Sequence, residues 1–188
     1  MEKDIEYTIK RSRRMGVGVY IDQDGNLIVR APFGVSEEEL RKFVYEKRAW
    51  IEKHRKMVLE RKEAAEKLPP LTMEDVNQLA EQARVYFPPK VKEYAQRMGV
   101  TYGRITIRNQ KTRWGSCSEA GNLNFNCLLM LLSEEVREYL IVHELSHIIH
   151  MDHSNAFWNE VAKYCPNYKE LEKELKVQGG IQMRRIIR

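Results

Sequence analysis

No stretch of this 188-residue sequence is apolar for the roughly 20 residues that crossing a bilayer requires. The longest strongly apolar run, Cys127 to Leu132, is far shorter, so a membrane is not an expected partner. The first residues, Met1-Glu2-Lys3-Asp4, are charged and carry no apolar run of the kind that marks a signal peptide. The cytoplasm is therefore the default location. Cysteine is scarce as well. Cys117, Cys127 and Cys165 are odd in number, far apart and never in a CxxC pair. That excludes a disulfide framework and a Cys-ligated structural zinc, and leaves reduced core thiols. Internal repeats and low-complexity tracts are absent. So is any strong segregation of charge. The net charge is +5 and the pI about 9.0, but residues 1–68 contribute +3 and residues 69–188 contribute +2. Only Lys10-Arg11-Ser12-Arg13-Arg14 and Arg184-Arg185-Ile186-Ile187-Arg188 are locally basic. Both read as solvated charge, which makes nucleic acid the less favoured partner.

What is present is an ordinary globular composition, 43% hydrophobic and 31% charged. Strand-like segments span Ile5 to Lys10, Gly16 to Ile21 and Asn26 to Ala31, with Asp24-Gly25 as a hairpin turn before the last. Ser36 followed by Glu37-Glu38-Glu39 is a capping box. From it the apolar positions Leu40, Phe43, Val44, Trp50, Ile51 and Val58 predict one helix to about Lys67. His54 shares that stripe and reads as a satisfied, partly buried histidine. Pro69-Pro70 mark the boundary between residues 1–68 and 69–188. A second helical region runs from Thr72 to Met98, interrupted by Pro88-Pro89 and stopped by Gly99. Ile105 to Arg108, Arg113 to Ser118 and Leu123 to Phe125 predict a small antiparallel sheet. Ser133 caps a further helix, and a last helical region begins near Ser154-Asn155, reset at Pro166. The class is α+β: a β-hairpin and long helix first, then a small sheet with a motif-bearing helix.

That helix carries His143-Glu144-Leu145-Ser146-His147, an HExxH pattern. Residues four apart lie about 40° from one another on a helix, so the two imidazoles can share one metal ion, and neutral imidazole suits zinc. Glu144 is turned about 100° from His143, beside the metal, where its carboxylate can take a proton from a water whose pKa zinc lowers to about 7. A catalytic site needs a third protein ligand. His153 can reach back if a turn follows Met151-Asp152. His150 lies near the same face but one turn further along. Glu160 or Glu170 would supply a downstream carboxylate, as in gluzincins. The spacing with His153 matches that of metzincins, which have Gly where this chain has His150. Tyr164, Tyr168 and His150 are the candidates for oxyanion stabilisation.

Beyond the motif, His153-Ser154 with Phe157-Trp158, the run Lys111-Thr112-Arg113-Trp114-Gly115-Ser116-Cys117-Ser118, and Gly121-Asn122-Leu123-Asn124-Phe125-Asn126 resemble the YgjP-like metallopeptidase family. That family is related to SprT-like and other minimal zincins. Arg11-Ser12-Arg13-Arg14, Ala31-Pro32 and Trp50-Ile51 extend the likeness over nearly the whole chain. The resemblance implies a zincin-like core in residues 69–188. It further implies one zinc ion on His143, His147 and His153, Glu144 as general acid/base, and peptide or protein substrates. In zincins an edge strand pairs with extended substrate, which makes Arg113, Trp114, Gly115 and Ser116 the candidate substrate-binding residues. Arg113 can alternatively anchor a carboxylate. Trp114, Phe157 and Trp158 also read as packing residues. Two other functions fit the sequence: a DNA-associated SprT-like protease acting on DNA-bound proteins, and a non-catalytic, zinc-stabilised binding module.

Overall fold

The computed structural model describes residues 5–13 and 15–186. Arg14, Ile187 and Arg188, within the two basic runs, and Met1 to Asp4 lie outside the described residues. The chain divides into two compact units, residues 1–67 and 68–188. No helix among the described residues is long and apolar enough to cross a membrane.

The first unit contains β1 (Tyr7–Arg11), β2 (Gly18–Ile21) and β3 (Leu27–Ala31) in the order β1-β3-β2. β2 and β3 form the antiparallel hairpin, and β1 runs parallel to β3. Alternation along β3 sends Leu27, Val29 and Ala31 into a core completed by Leu40, Val44 and Ile51. The hairpin turn is held by Asp22, whose carboxylate accepts from the Asp24 and Asn26 amides at 2.9 and 2.8 Å. Gly25 takes φ +85° there, a conformation that glycine adopts without a Cβ penalty.

The helix expected to run unbroken from Ser36 is two helices, α1 (Glu37–Glu46) and α2 (Arg48–Glu66). Lys47 between them leaves helical geometry at φ −94°, ψ 4°. Packing explains the break. α1 buries Leu40 and Val44 in the sheet core, whereas α2 reaches the hairpin turn, with Leu59 against Gly25 and Lys62 paired to Asp24 at 2.7 Å. Ser36 and Glu39 form the reciprocal capping box. His54 is half-buried, stacked on Trp50 at 3.9 Å, with Nδ1 2.7 Å from the Trp50 carbonyl.

In the second unit α3 (Met73–Met98) is continuous, so Pro88-Pro89 do not interrupt it. Proline removes two helical N–H groups, but both prolines, with Arg84 and Val85, face solvent, where water can satisfy the carbonyls left free. The opposite stripe, from Val76 through Ala83, Phe87 and Val91 to Met98, stays buried throughout. Thr72 and Asp75 cap the start, and Gly99 ends the helix in the left-handed conformation at φ +67°.

Next come β4 (Ile105–Arg108), β5 (Gly115–Cys117) and β6 (Leu123–Asn126), in the order β4-β6-β5. The expected antiparallel sheet is mixed: β5 is antiparallel to β6, but β4 is parallel to it. Leu123 and Phe125 of the middle strand point into the core, where Phe125 stacks on Phe87 at 4.5 Å. A buried 3-10 turn (Cys127–Leu131) leads to α4 (Glu134–Ile149), capped by Ser133. α4 is buried on nearly every side, from Val136 to His147.

α5 (Asn155–Tyr164) and α6 (Tyr168–Glu174) flank Pro166, and a π turn (Leu175–Gly179) leads into α7 (Gly180–Arg184). Gly179 leaves room for an indole: a Cβ there would sit 2.5 Å from Trp114. The end of the chain is tied back by Leu71, whose amide donates to the Arg185 carbonyl at 2.7 Å. The three cysteines are free thiols.

Candidate active site

α4 brings His143, Glu144 and His147 to one wall of a cavity of about 270 Å³. Helical periodicity alone accounts for the pairing of the two histidines. α4 then ends at Ile149, and the His150 carbonyl accepts from His147 Nδ1 at 3.1 Å. That bond fixes the ring and leaves Nε2 as its free donor atom. The following turn folds His153 back, and its Nε2 lies 3.3 Å from Nε2 of His143. One nitrogen from each of His143, His147 and His153 lies within 4.8 Å of the other two.

The aromatic floor beneath the triad comes from α5. Phe157 stacks on His147 at 4.5 Å and meets His143 and His153 edge-on at 4.9 and 4.8 Å. Trp158 lies 5.8 and 5.7 Å from His143 and His153, and is itself stacked on Tyr168. These rings leave the imidazoles little freedom to turn.

Burial sets the electrostatics. Desolvation, with the charges of His147 and His153 added, pushes His143 down to about 3, so it is a neutral imidazole at ordinary pH. His147 is lowered for the same first reason. Burial alone pushes the Glu144 carboxyl up to about 8; the residue is 3% exposed. The groups present fit a metal ion. Two ligands about 2.0–2.1 Å from a tetrahedral zinc stand about 3.3–3.4 Å apart, which matches the Nε2 pair of His143 and His153. Glu144 Oε2 is buried and, among the described residues, has no hydrogen-bond partner. A cation or water over the triad would satisfy it.

The opposite wall is the edge strand β5 with the residues before it. Arg113, Gly115, Ser116 and Cys117 line the cavity, together with Met151. Gly115 is required there: a Cβ on it would collide with the Glu144 carboxylate. Trp114 does not line the cavity, and packs instead against Gly179 and the core. The other third-ligand candidates are placed elsewhere. Glu160 pairs with Lys163, Glu170 is exposed, and His150 contributes its carbonyl. Tyr164 belongs to a second cavity on α4, and neither Tyr168 nor His150 lines the first.

Three residues that matter here were not singled out as site residues from sequence. Cys117 shares a strand face with Gly115, so period-two alternation was an available signal. Its thiol is pushed up to about 11 by burial and by Glu144, and stays protonated. Met151 sits in a turn with no such signal. Asn126, 1% exposed, donates to the carbonyls of Gln110 and Arg113 at 2.8 and 3.0 Å and accepts from the Leu128 amide, pinning the turn that enters β5.

Known proteins share part of this chain's sequence. The crystal structure of the metallopeptidase zymogen abylysin of Pyrococcus abyssi is 28% identical, with a TM-score of 0.44, covering 48% of this chain and 93% of that one. The zymogen of Methanocaldococcus jannaschii jannalysin is 26% identical, with a TM-score of 0.43 and the same coverage. Among curated proteins nothing matches significantly. The description "YgjP-like, metallopeptidase domain" matches residues 15–76 and 74–178, which is most of the chain. The chain therefore belongs to the YgjP-like metallopeptidase family.

Proposed function

We propose that this protein is a zinc-dependent peptidase in which His143, His147 and His153 hold one zinc ion and Glu144 is the general acid/base. The observation that carries the reading is the convergence of three imidazoles beside a buried, unpartnered carboxyl in a cavity whose other wall is an edge strand. Bound there, zinc would supply a Lewis acid that polarises the scissile carbonyl and lowers the pKa of water.

The chain's own residues do the rest. The Glu144 carboxylate takes a proton from the attacking water and returns it to the departing amine, so no proton is gained or lost over the cycle. Its high intrinsic pKa favours holding that proton between the two steps. A nearby cation would draw the same pKa down and favour the carboxylate that begins the cycle. The outer backbone edge of β5 can pair with an extended peptide, which holds substrate through main-chain groups with little sequence readout. Gly115 keeps that edge close to Glu144. Peptides or unfolded protein segments are the substrates such an edge accepts.

Glu144→Gln tests the reading. Zinc should remain at about one ion per chain while hydrolysis of a peptide library falls by at least about a thousandfold. Full activity in the Gln variant, or no hydrolysis by zinc-loaded wild type, would overturn it.

A further inference from the structure

Nine residues line the cavity, and Arg113 and Glu144 are the two with ordinarily charged side chains. Glu144 is committed to proton transfer under the reading above. Arg113 has no such employment: among the described residues its side chain has no ion pair and no hydrogen bond. Most exposed arginines are solvated ornaments of a surface. Arg113 differs in two respects. Though exposed, it lines the cavity, and its main chain is anchored by buried Asn126, whose side-chain amide donates to the carbonyls of Arg113 at 3.0 Å and Gln110 at 2.8 Å and whose backbone N–H donates to the Trp114 carbonyl at 2.8 Å. Anchoring the backbone fixes the point from which the guanidinium reaches the cavity, and its side-chain torsions are ordered only on binding.

We infer that Arg113 is a specificity-determining residue that selects a carboxylate-bearing peptide, by receiving a carboxylate close to the scissile bond. This rests on the peptidase reading for its substrate, but not for the recognition itself. Guanidinium presents two parallel N–H donors that match a carboxylate, and it remains charged at every working pH. Among the residues that line the cavity, Glu144 is the one acidic side chain that would compete for the guanidinium. A volume of about 270 Å³ admits the residues flanking one peptide bond, so the carboxylate must belong to that short stretch. It is either the C-terminal carboxylate of a peptide or the side chain of Asp or Glu.

Four peptides of one sequence separate these sources: free C-terminus, amidated C-terminus, amidated with Glu beside the scissile bond, and amidated with Gln there. Binding to the uncleaving Glu144→Gln protein is measured by calorimetry, and kcat/KM is measured on the zinc-loaded protein with Glu144 intact. Each carboxylate form that fits should exceed its neutral counterpart by roughly ten- to a hundredfold in both measurements. Arg113→Ala should bring that ratio to about one, and Arg113→Lys should restore part of it. Near-ultraviolet circular dichroism confirms that the exposed substitution leaves the fold intact.

Equal handling of carboxylate and neutral peptides by the parent protein overturns the inference. So does an Arg113→Ala variant that weakens both classes equally. If carboxylate peptides bind preferentially through Arg113 but nothing is cleaved, the peptidase reading fails and the recognition stands.

Discussion

The sheet of residues 7–31 and the sheet of residues 105–126 share one topology. Each places its last strand in the middle, with the first strand parallel to it and the second antiparallel. What they bury differs. In the first unit the middle strand offers Leu27, Val29 and Ala31 to a wholly apolar core. In the second, Leu123 and Phe125 are joined by buried Asn126. The other buried polar residues among those described, Glu144, Ser146, His147 and Glu160, also lie in residues 68–188. Burying polar groups costs stability, and a fold tolerates the cost where those groups have a task. The same strand order thus serves in one case as a scaffold and in the other as one wall of the candidate site.

The largest expected effect comes from cutting the two middle strands. Phe125→Ala should destabilise the second unit by about 3–5 kcal/mol and Val29→Ala the first by about 2 kcal/mol, measured by urea denaturation. Equal losses would mean that the Phe87–Phe125 stack adds nothing. Glycine sharpens the contrast next. Gly115→Ala should lower kcat by about a hundredfold by displacing the Glu144 carboxylate. Gly34→Ala, where a Cβ meets no neighbour within 4 Å, should leave the rate unchanged.

A pH experiment on the metal-free protein isolates the buried carboxyl. Glu144 keeps its proton up to about pH 8 when folded, but loses it near its ordinary value of 4.5 when unfolded. The folded state then binds more protons between those values, so this group's contribution to stability falls as pH rises and levels off above about 8. His143 acts oppositely and lower: its folded value near 3 against 6.5 makes stability rise across that interval. Between pH 6.5 and 8 the metal-free protein should therefore lose about 2 kcal/mol, and Glu144→Gln should abolish that decline. A flat wild-type profile there would contradict the burial assigned to Glu144. Smallest of all, Asp24→Asn at the exposed Lys62 pair should change stability by less than about 1 kcal/mol in the same denaturation assay.

Signals carried by residues within one turn were legible, and those that depend on distant partners were not. The Ser36–Glu39 box, the Ser133 cap and the Gly99 stop each depend on neighbours within a turn, and each is where the residues indicate. The break at Lys47 and the unbroken course of α3 through Pro88-Pro89 depend on which partner each segment packs against, and no periodicity contains that. The parallel pairings of β1 with β3 and β4 with β6 join residues about 20 positions apart. At the candidate site, the His143–His147 pair follows from a helical period. The place of His153 depends on a turn, and the role of Asn126 on a loop whose carbonyls needed a donor.

Trp114 and Gly179 carry a consequence for where the working part of this protein ends. The indole is wedged against a glycine 65 positions later, and the residues on either side of that indole, Arg113 and Gly115, face the cavity. The π turn carries one extra residue per turn, and that phase decides which side chain meets the ring. Deleting one residue between Leu175 and Gly179 would rotate a different neighbour onto the indole and move the cavity wall without touching any of its residues. The segment that shapes the cavity therefore extends past His153 to Gly179, and insertions or deletions in that turn become a way to tune a cleft they never enter.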